Sequence, residues 1–114
     1  MVPRYTYVVL TNPVEGKESE FNDWYTNTHV HDALEVPGFV SAQRFALTPK
    51  QRVEAPFPWG YLAVYELETD DLQQSIDALA ARYNTPDMMI SEALHPERLG
   101  LIFQPMGPRL EANA

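Results

Sequence analysis

Hydrophobic and polar positions along the chain change period several times, and each change marks an element. Arg4 to Thr11 alternates Tyr, Val and Thr and stops at Asn12-Pro13, the pattern of a strand closed by a turn. From Glu18 the period lengthens. Phe21, Trp24 and Tyr25 fall at i, i+3 and i+4, while Glu18, Glu20 and Asp23 take the wet side and the N-terminal end, which predicts a helix. Continuing that helix unbroken would carry Val30 and Leu34 to the side opposite Phe21. A break near Asn27, with Asn27-Thr28 capping a second helical turn over Val30 to Val36, removes the conflict. Pro37-Gly38 then ends the helix.

Gly38 to Leu47 alternates again, with Phe39, Ser41, Gln43 and Phe45 on one face and Val40, Ala42 and Arg44 on the other. Residues 48–58 hold three prolines and read as an irregular excursion. Trp59 to Glu68 is the third expected strand. A helix capped by Asp70 or Thr69 carries Leu72, Ile76, Leu79, Ala80 and Tyr83 at helical spacing, and Pro86 closes it. A loop with a helical turn over 87–97 leads to a last strand, Leu99 to Gln104, and a frayed tail ending at Ala114. The order β-α-β-β-α-β describes an α+β, ferredoxin-like domain spanning 1–114, an antiparallel sheet with both helices on one face. Every strand carries apolar residues on both sides, so the face away from the helices needs a cover, and a second copy of the same sheet supplies it. A homodimer follows.

Composition narrows the partners. The 114 residues include no cysteine and carry a formal charge of −8, which removes disulfides and thiol chemistry and disfavours nucleic acid and anionic membranes. No run approaches a membrane span, and the opening MVPRYTYVVL reads as a strand rather than a signal peptide, so a cytoplasmic location is expected. No phosphate-cradling glycine loop, dinucleotide fingerprint or nucleophile elbow is present, so no nucleotide cofactor is expected. His29, His31 and His95 lack a metal-ligand spacing, and no metal site is expected.

The pattern F-x-x-W-Y-x-x-x-H-V (Phe21 to Val30), then Val36-Pro37-Gly38-Phe39 and Gln43-Arg44-Phe45, resembles the dimeric α/β-barrel superfamily, nearest its EthD-like members. The resemblance implies two sheets paired into a barrel and a pocket for a small molecule. It does not select among the superfamily's chemistries, which include cofactor-free oxygenases, isomerases, cyclases and proteins without known activity. Similar sequences carry proline where this chain has His31.

Candidate chemistry centres on His29, either a structural histidine at the helix break or a general base. Arg44, flanked by apolar neighbours, needs a partner: either Glu66 across the sheet, or an oxyanion of a ligand. His29, Arg44 and Tyr65 form the expected catalytic group, with Tyr65 or Tyr25 orienting the substrate. Trp24, Tyr25, Tyr7, Tyr61, Glu66 and Phe103 form the expected binding surface for a small hydrophobic or aromatic ligand. Met88-Met89-Ile90 lines that pocket or the dimer seam. The expected function is cofactor-independent proton transfer of the isomerase, lyase or cyclase kind. The alternatives are a non-catalytic binding protein and a cofactor-free monooxygenase.

Overall fold

The computed structural model describes residues 2–113, so the end of the tail at Ala114 lies outside the described residues. Four strands, β1 (Arg4–Thr11), β2 (Phe39–Ala46), β3 (Tyr61–Glu68) and β4 (Leu99–Phe103), form one sheet in the order β2-β3-β1-β4. All three pairings are antiparallel, the ferredoxin-like arrangement. Helices α1 (Glu18–Trp24), α2 (Val30–Ala33) and α3 (Leu72–Arg82) lie in the two crossovers.

The expected break at Asn27 is absent. Tyr25–His29 instead forms a π-helical turn that joins α1 to α2 with helical backbone throughout, Val30 N–H donating to the Tyr25 carbonyl. One extra residue in the turn rotates the apolar stripe back toward the sheet, the task the break was expected to perform. Phe21, Tyr25, Ala33 and Val36 are thereby all buried, whereas Leu34 is exposed. Asn27 caps nothing; its amide donates to the Asp23 carboxylate.

The second correction concerns β2. The register slips between Phe39 and Ser41, where two steps on β2 match one on β3, leaving Val40 as the extra residue of a bulge. A bulge inverts the alternation. Phe39 therefore faces the helices together with Ala42 and Arg44, while Ser41, Gln43 and Phe45 face away. Gly38, at φ +94°, makes the turn into β2, and a Cβ there would collide with the Ser75 hydroxyl. Ser75 is buried and donates to the Pro37 carbonyl at 2.8 Å, tying α3 to that turn.

Helix α3 is capped by Asp71, not Asp70 or Thr69: its carboxylate accepts from Gln74 N–H at 3.1 Å, while Thr69 Oγ1 accepts from Asp71 N–H. The helix stops at Arg82, four residues ahead of Pro86. Tyr83 is extended and Asn84 takes a left-handed conformation at φ 59°. The segment 87–97 is irregular; Met88 and Ala93 are fully buried in it, and Pro13 bridges to Leu94.

The core lies between sheet and helices, built from Val9, Phe21, Tyr25, Phe39, Ala63, Tyr65 and Leu67 with Met88 and Ala93. On the other face the register aligns Val8, Leu10, Leu62, Val64, Leu99, Leu101 and Phe103. Leu101 and Phe103 are 48% and 53% exposed there. That stretch of the face is apolar and uncovered within the chain, with Arg4, Glu66 and Glu68 at one end of it and Ser41 and Gln43 along β2. No helix among the described residues is long and apolar enough to cross a membrane.

Candidate functional site

Alternation on β1 and β3 sends Tyr7, Val9 and Thr11, with Ala63 and Tyr65, to the helix side. There the sheet and helices leave a chamber of about 90 Å³. Its walls include four phenols (Tyr7, Tyr25, Tyr65, Tyr83), one imidazole (His29) and one guanidinium (Arg98), with Leu79 and Leu94 as apolar lining. A groove of about 320 Å³ runs on under α3 and shares Tyr7, Phe39, Leu79 and Gly100 with the chamber. Gly100 sits so close to Tyr7 that a Cβ would come within 2.8 Å of the phenol oxygen. The missing side chain gives Tyr7 its position at the junction of chamber and groove.

The π-helical turn sets His29. Its ring stacks on Trp24, five residues earlier, at 4.7 Å between centroids, and meets Tyr25 edge-on at 4.9 Å. Bonding from i to i+5 is what brings that i, i+5 pair together. Trp24 is itself pinned, its indole N–H donating to the Met89 carbonyl at 3.1 Å. His29 Nδ1 is buried without a hydrogen-bond partner. Burial, reinforced by the Arg98 and Arg44 charges, lowers the imidazole pKa from 6.5 to about 4. His29 is therefore neutral at pH 7, with one ring nitrogen free to accept a proton.

The phenols shift the other way. Burial pushes Tyr25 up to about 12 and Tyr65 higher still, so both are protonated hydrogen-bond donors at pH 7. The Tyr65 hydroxyl is buried without a hydrogen-bond partner, and after burial itself the neighbouring Tyr25 phenol is what holds it protonated. The Tyr83 hydroxyl is likewise buried and unpaired. Buried polar atoms without partners are uncommon, because each forfeits its hydration. Here three of them, on His29, Tyr65 and Tyr83, belong to residues lining one chamber.

Of the residues singled out in the sequence, His29, Tyr65, Tyr25 and Tyr7 meet at the chamber. Arg44 does not line it. Its guanidinium lies 4.5 Å from the centre of the Tyr25 ring and donates to Thr26 Oγ1 at 2.8 Å and Asn22 Oδ1 at 3.0 Å. The partner it required is thus the polar side of α1 and the π-helical turn, and it backs Tyr25 from outside. An ion pair with Glu66 is ruled out by the pleat: Glu66 points to the other face and bonds Arg4 at 3.4 Å. Phe103 also lies on that other face. Tyr61 donates to Glu18 at 2.6 Å and accepts from Asn22, so its hydroxyl is engaged outside the chamber. Trp24 supports His29 without lining the chamber. Met88 is core, and Met89 is exposed. The described residues contain no group of three metal-ligating side chains.

Tyr83, Arg98, Thr11 and Leu94 line the chamber without having been singled out. Helical spacing predicts Tyr83 inside α3, which ends one residue before it. Arg98 carried one signal, a cation just ahead of an apolar strand in an acidic chain.

No family model matches the chain. A segment of 61 residues, 52% of the chain, is 38% identical to core atranone cluster protein 1 of Stachybotrys chlorohalonatus and spans 24% of that protein. Among solved structures, a Nitrosomonas europaea protein assigned provisionally as an antibiotic biosynthesis monooxygenase superposes with a TM-score of 0.62 at 12% identity, covering 95% of each chain. An EthD family protein from Bacillus halodurans gives 0.56 at 17% identity, covering 90% of this chain and 99% of the other. HapK from Hahella chejuensis gives 0.58 at 14% identity, covering 96% and 99%. At such identities the likeness speaks for the fold alone: the chain has a ferredoxin-like fold, the fold also seen in these EthD-family and antibiotic biosynthesis monooxygenase-type structures.

Proposed function

We propose that the chain binds a small oxygenated aromatic or polyketide-like molecule in the chamber and moves a proton on it, with His29 as the base. The observation that carries this reading is the set of unpaired polar atoms on His29, Tyr65 and Tyr83 around an otherwise apolar and aromatic space. A ligand with carbonyl or phenol oxygens supplies their missing partners. The groove under α3 continues the chamber into the few-hundred Å³ range of small-molecule sites and takes the apolar remainder of the molecule.

In the proposed step His29, whose imidazolium is stabilised only as the enolate's negative charge forms beside it, takes a proton from an acidic C–H beside a carbonyl. The electron pair left behind delocalises onto the oxygen as an enolate, and Tyr65, held protonated by burial, donates a hydrogen bond to it. Returning the proton to a different carbon completes an isomerisation, and expelling a leaving group completes an elimination. Arg44 acts through Tyr25, whose ring it backs, as a positioning residue. The uncovered sheet face pairs with that of a second copy, giving a homodimer in which each chamber keeps its own helices.

The test is solvent deuterium exchange into 2-tetralone, an aromatic ketone with acidic C–H bonds, followed by NMR. Wild type accelerates exchange above buffer, and His29→Gln abolishes the acceleration while keeping affinity for the ketone. Undiminished exchange by His29→Gln removes His29 as the base. Binding of the ketone without any acceleration by wild type favours a non-catalytic binding protein.

A further inference from the structure

The chain carries twice as many acidic as basic side chains, 16 against 8, yet among the described residues only Arg4 has a carboxylate within ion-pair distance, so a cation is marked out here by where it sits rather than by being unpaired. Arg4 is engaged by Glu66 and Glu68, and Arg44 by Asn22 and Thr26. Arg98 lines the chamber, and among the described residues no carboxylate lies within ion-pair distance of it. The residue is exposed, but its backbone is anchored on both sides. Leu99 and Gly100, directly after it, pair with Leu10 and Val9 of β1, and ahead of it Glu97 N–H donates to His95 Nδ1 at 3.0 Å. The guanidinium lies 4.9 Å from the centre of the Tyr83 ring, a cation–π contact that holds it at the chamber without neutralising its charge. The Tyr83 hydroxyl beside it is buried and unpaired.

We propose that Arg98 is the counter-ion of a carboxylate on the ligand, so that the oxygenated aromatic substrate carries an acid group besides its carbonyl or phenol oxygens. The proposal rests on the reading of the chamber as a ligand site and adds the charge of the ligand to it. A guanidinium presents two parallel N–H donors to a carboxylate, and the Tyr83 hydroxyl supplies a third donor from the chamber wall. The carboxylate lies against Arg98 and Tyr83, and the ring beyond it lies among Tyr7, Tyr25 and Tyr65. In a protein of net charge −8 the bulk field repels anions, so selection of an acid depends on local cations, and Arg98 is the one that lines the chamber.

The experiment measures the affinities of benzoate and its neutral isostere benzamide by calorimetry for wild type, Arg98→Gln, Arg98→Lys and Arg52→Gln. Arg52→Gln makes the same charge change on the exposed 48–58 excursion. The expected result is that wild type and Arg52→Gln bind benzoate about tenfold or more tighter than benzamide. Arg98→Gln brings that ratio near one by weakening benzoate far more than benzamide, and Arg98→Lys keeps part of it. Equal binding of acid and amide by wild type, or a ratio that survives Arg98→Gln, overturns the role of Arg98 and leaves the chamber reading standing. Loss of both probes in Arg98→Gln also overturns it, because the residue would then shape the chamber rather than read charge. Binding of neither probe by wild type overturns the proposal and the chamber reading together.

Discussion

His29 gives the structure a pH-dependent stability that can be read out without knowing any ligand. In the unfolded chain its imidazole titrates near 6.5; in the folded chain burial, with Arg98 and Arg44 nearby, lowers this to about 4. Between those two values the unfolded state binds a proton that the folded state refuses. Stability therefore falls as pH drops from about 6.5 to about 4, at roughly 1.4 kcal/mol per unit, and this contribution stops growing below pH 4. The whole span is about 3 kcal/mol, a large part of the 5–15 kcal/mol that holds a typical domain together. Carboxylates also titrate in this window, so the informative quantity is the difference from His29→Gln, which keeps the carboxylates and lacks the imidazole. Urea unfolding from pH 7.5 to 4, at one fixed protein concentration, gives ΔG for both proteins. The wild-type curve is expected to lose about 3 kcal/mol more than the variant's over that range. Parallel curves, agreeing in slope to within about 0.5 kcal/mol over the range, would refute a buried neutral His29, whatever constant offset separates them.

Three further outcomes follow from the geometry. Tyr65→Phe deletes a hydroxyl that is buried and unpaired, so stability holds or rises slightly while ligand affinity drops by about 1–3 kcal/mol; a clear loss of stability would show that the hydroxyl is bonded. Gly38→Ala combines φ +94° with a collision on the Ser75 hydroxyl and should cost about 1–3 kcal/mol in urea unfolding, and a neutral result would contradict the tight turn between α2 and β2. Phe103→Arg places a charge on the open sheet face. It should shift the protein from dimer to monomer in sedimentation without changing the helix-side chamber, and a wild-type monomer would refute the proposed pairing of sheets.

The sequence made the element order and the helix-side sheet legible because strand and helix periods differ so plainly in Arg4–Thr11, Tyr61–Glu68 and Leu72–Arg82. It also exposed the conflict between Phe21 and Val30 on one helix. What periodicity could not specify was how one surplus residue is absorbed. A chain break and a π-helical turn rotate the stripe equally well, and only packing of Trp24 on His29 and of Tyr25 in the core distinguishes them. The bulge at Val40 hides for the same reason. One unpaired residue inverts the faces of β2, so Phe39 joined the helix side although strict alternation with Phe45 placed it on the other.

The candidate site divides along similar lines. His29, Tyr7, Tyr25 and Tyr65 were legible as titratable or aromatic groups inside regular elements, where a face can be assigned. Arg44 was legible as a cation among apolar neighbours in need of partners, but those partners sit on α1 and the π-helical turn, distant in sequence. Tyr83 and Arg98 reach the chamber from outside regular elements, where no periodicity assigns a direction, and only the tertiary structure brings them to it.

The most direct measurement is the NMR response of the six tyrosine rings and His29 to benzoate added to the wild-type protein. Shifts confined to His29, Tyr7, Tyr25, Tyr65 and Tyr83, with Tyr5 and Tyr61 unmoved, are the expected result. Shifts at Tyr61 or on the open sheet face, with His29 and Tyr65 unmoved, would contradict a ligand chamber between the sheet and its helices.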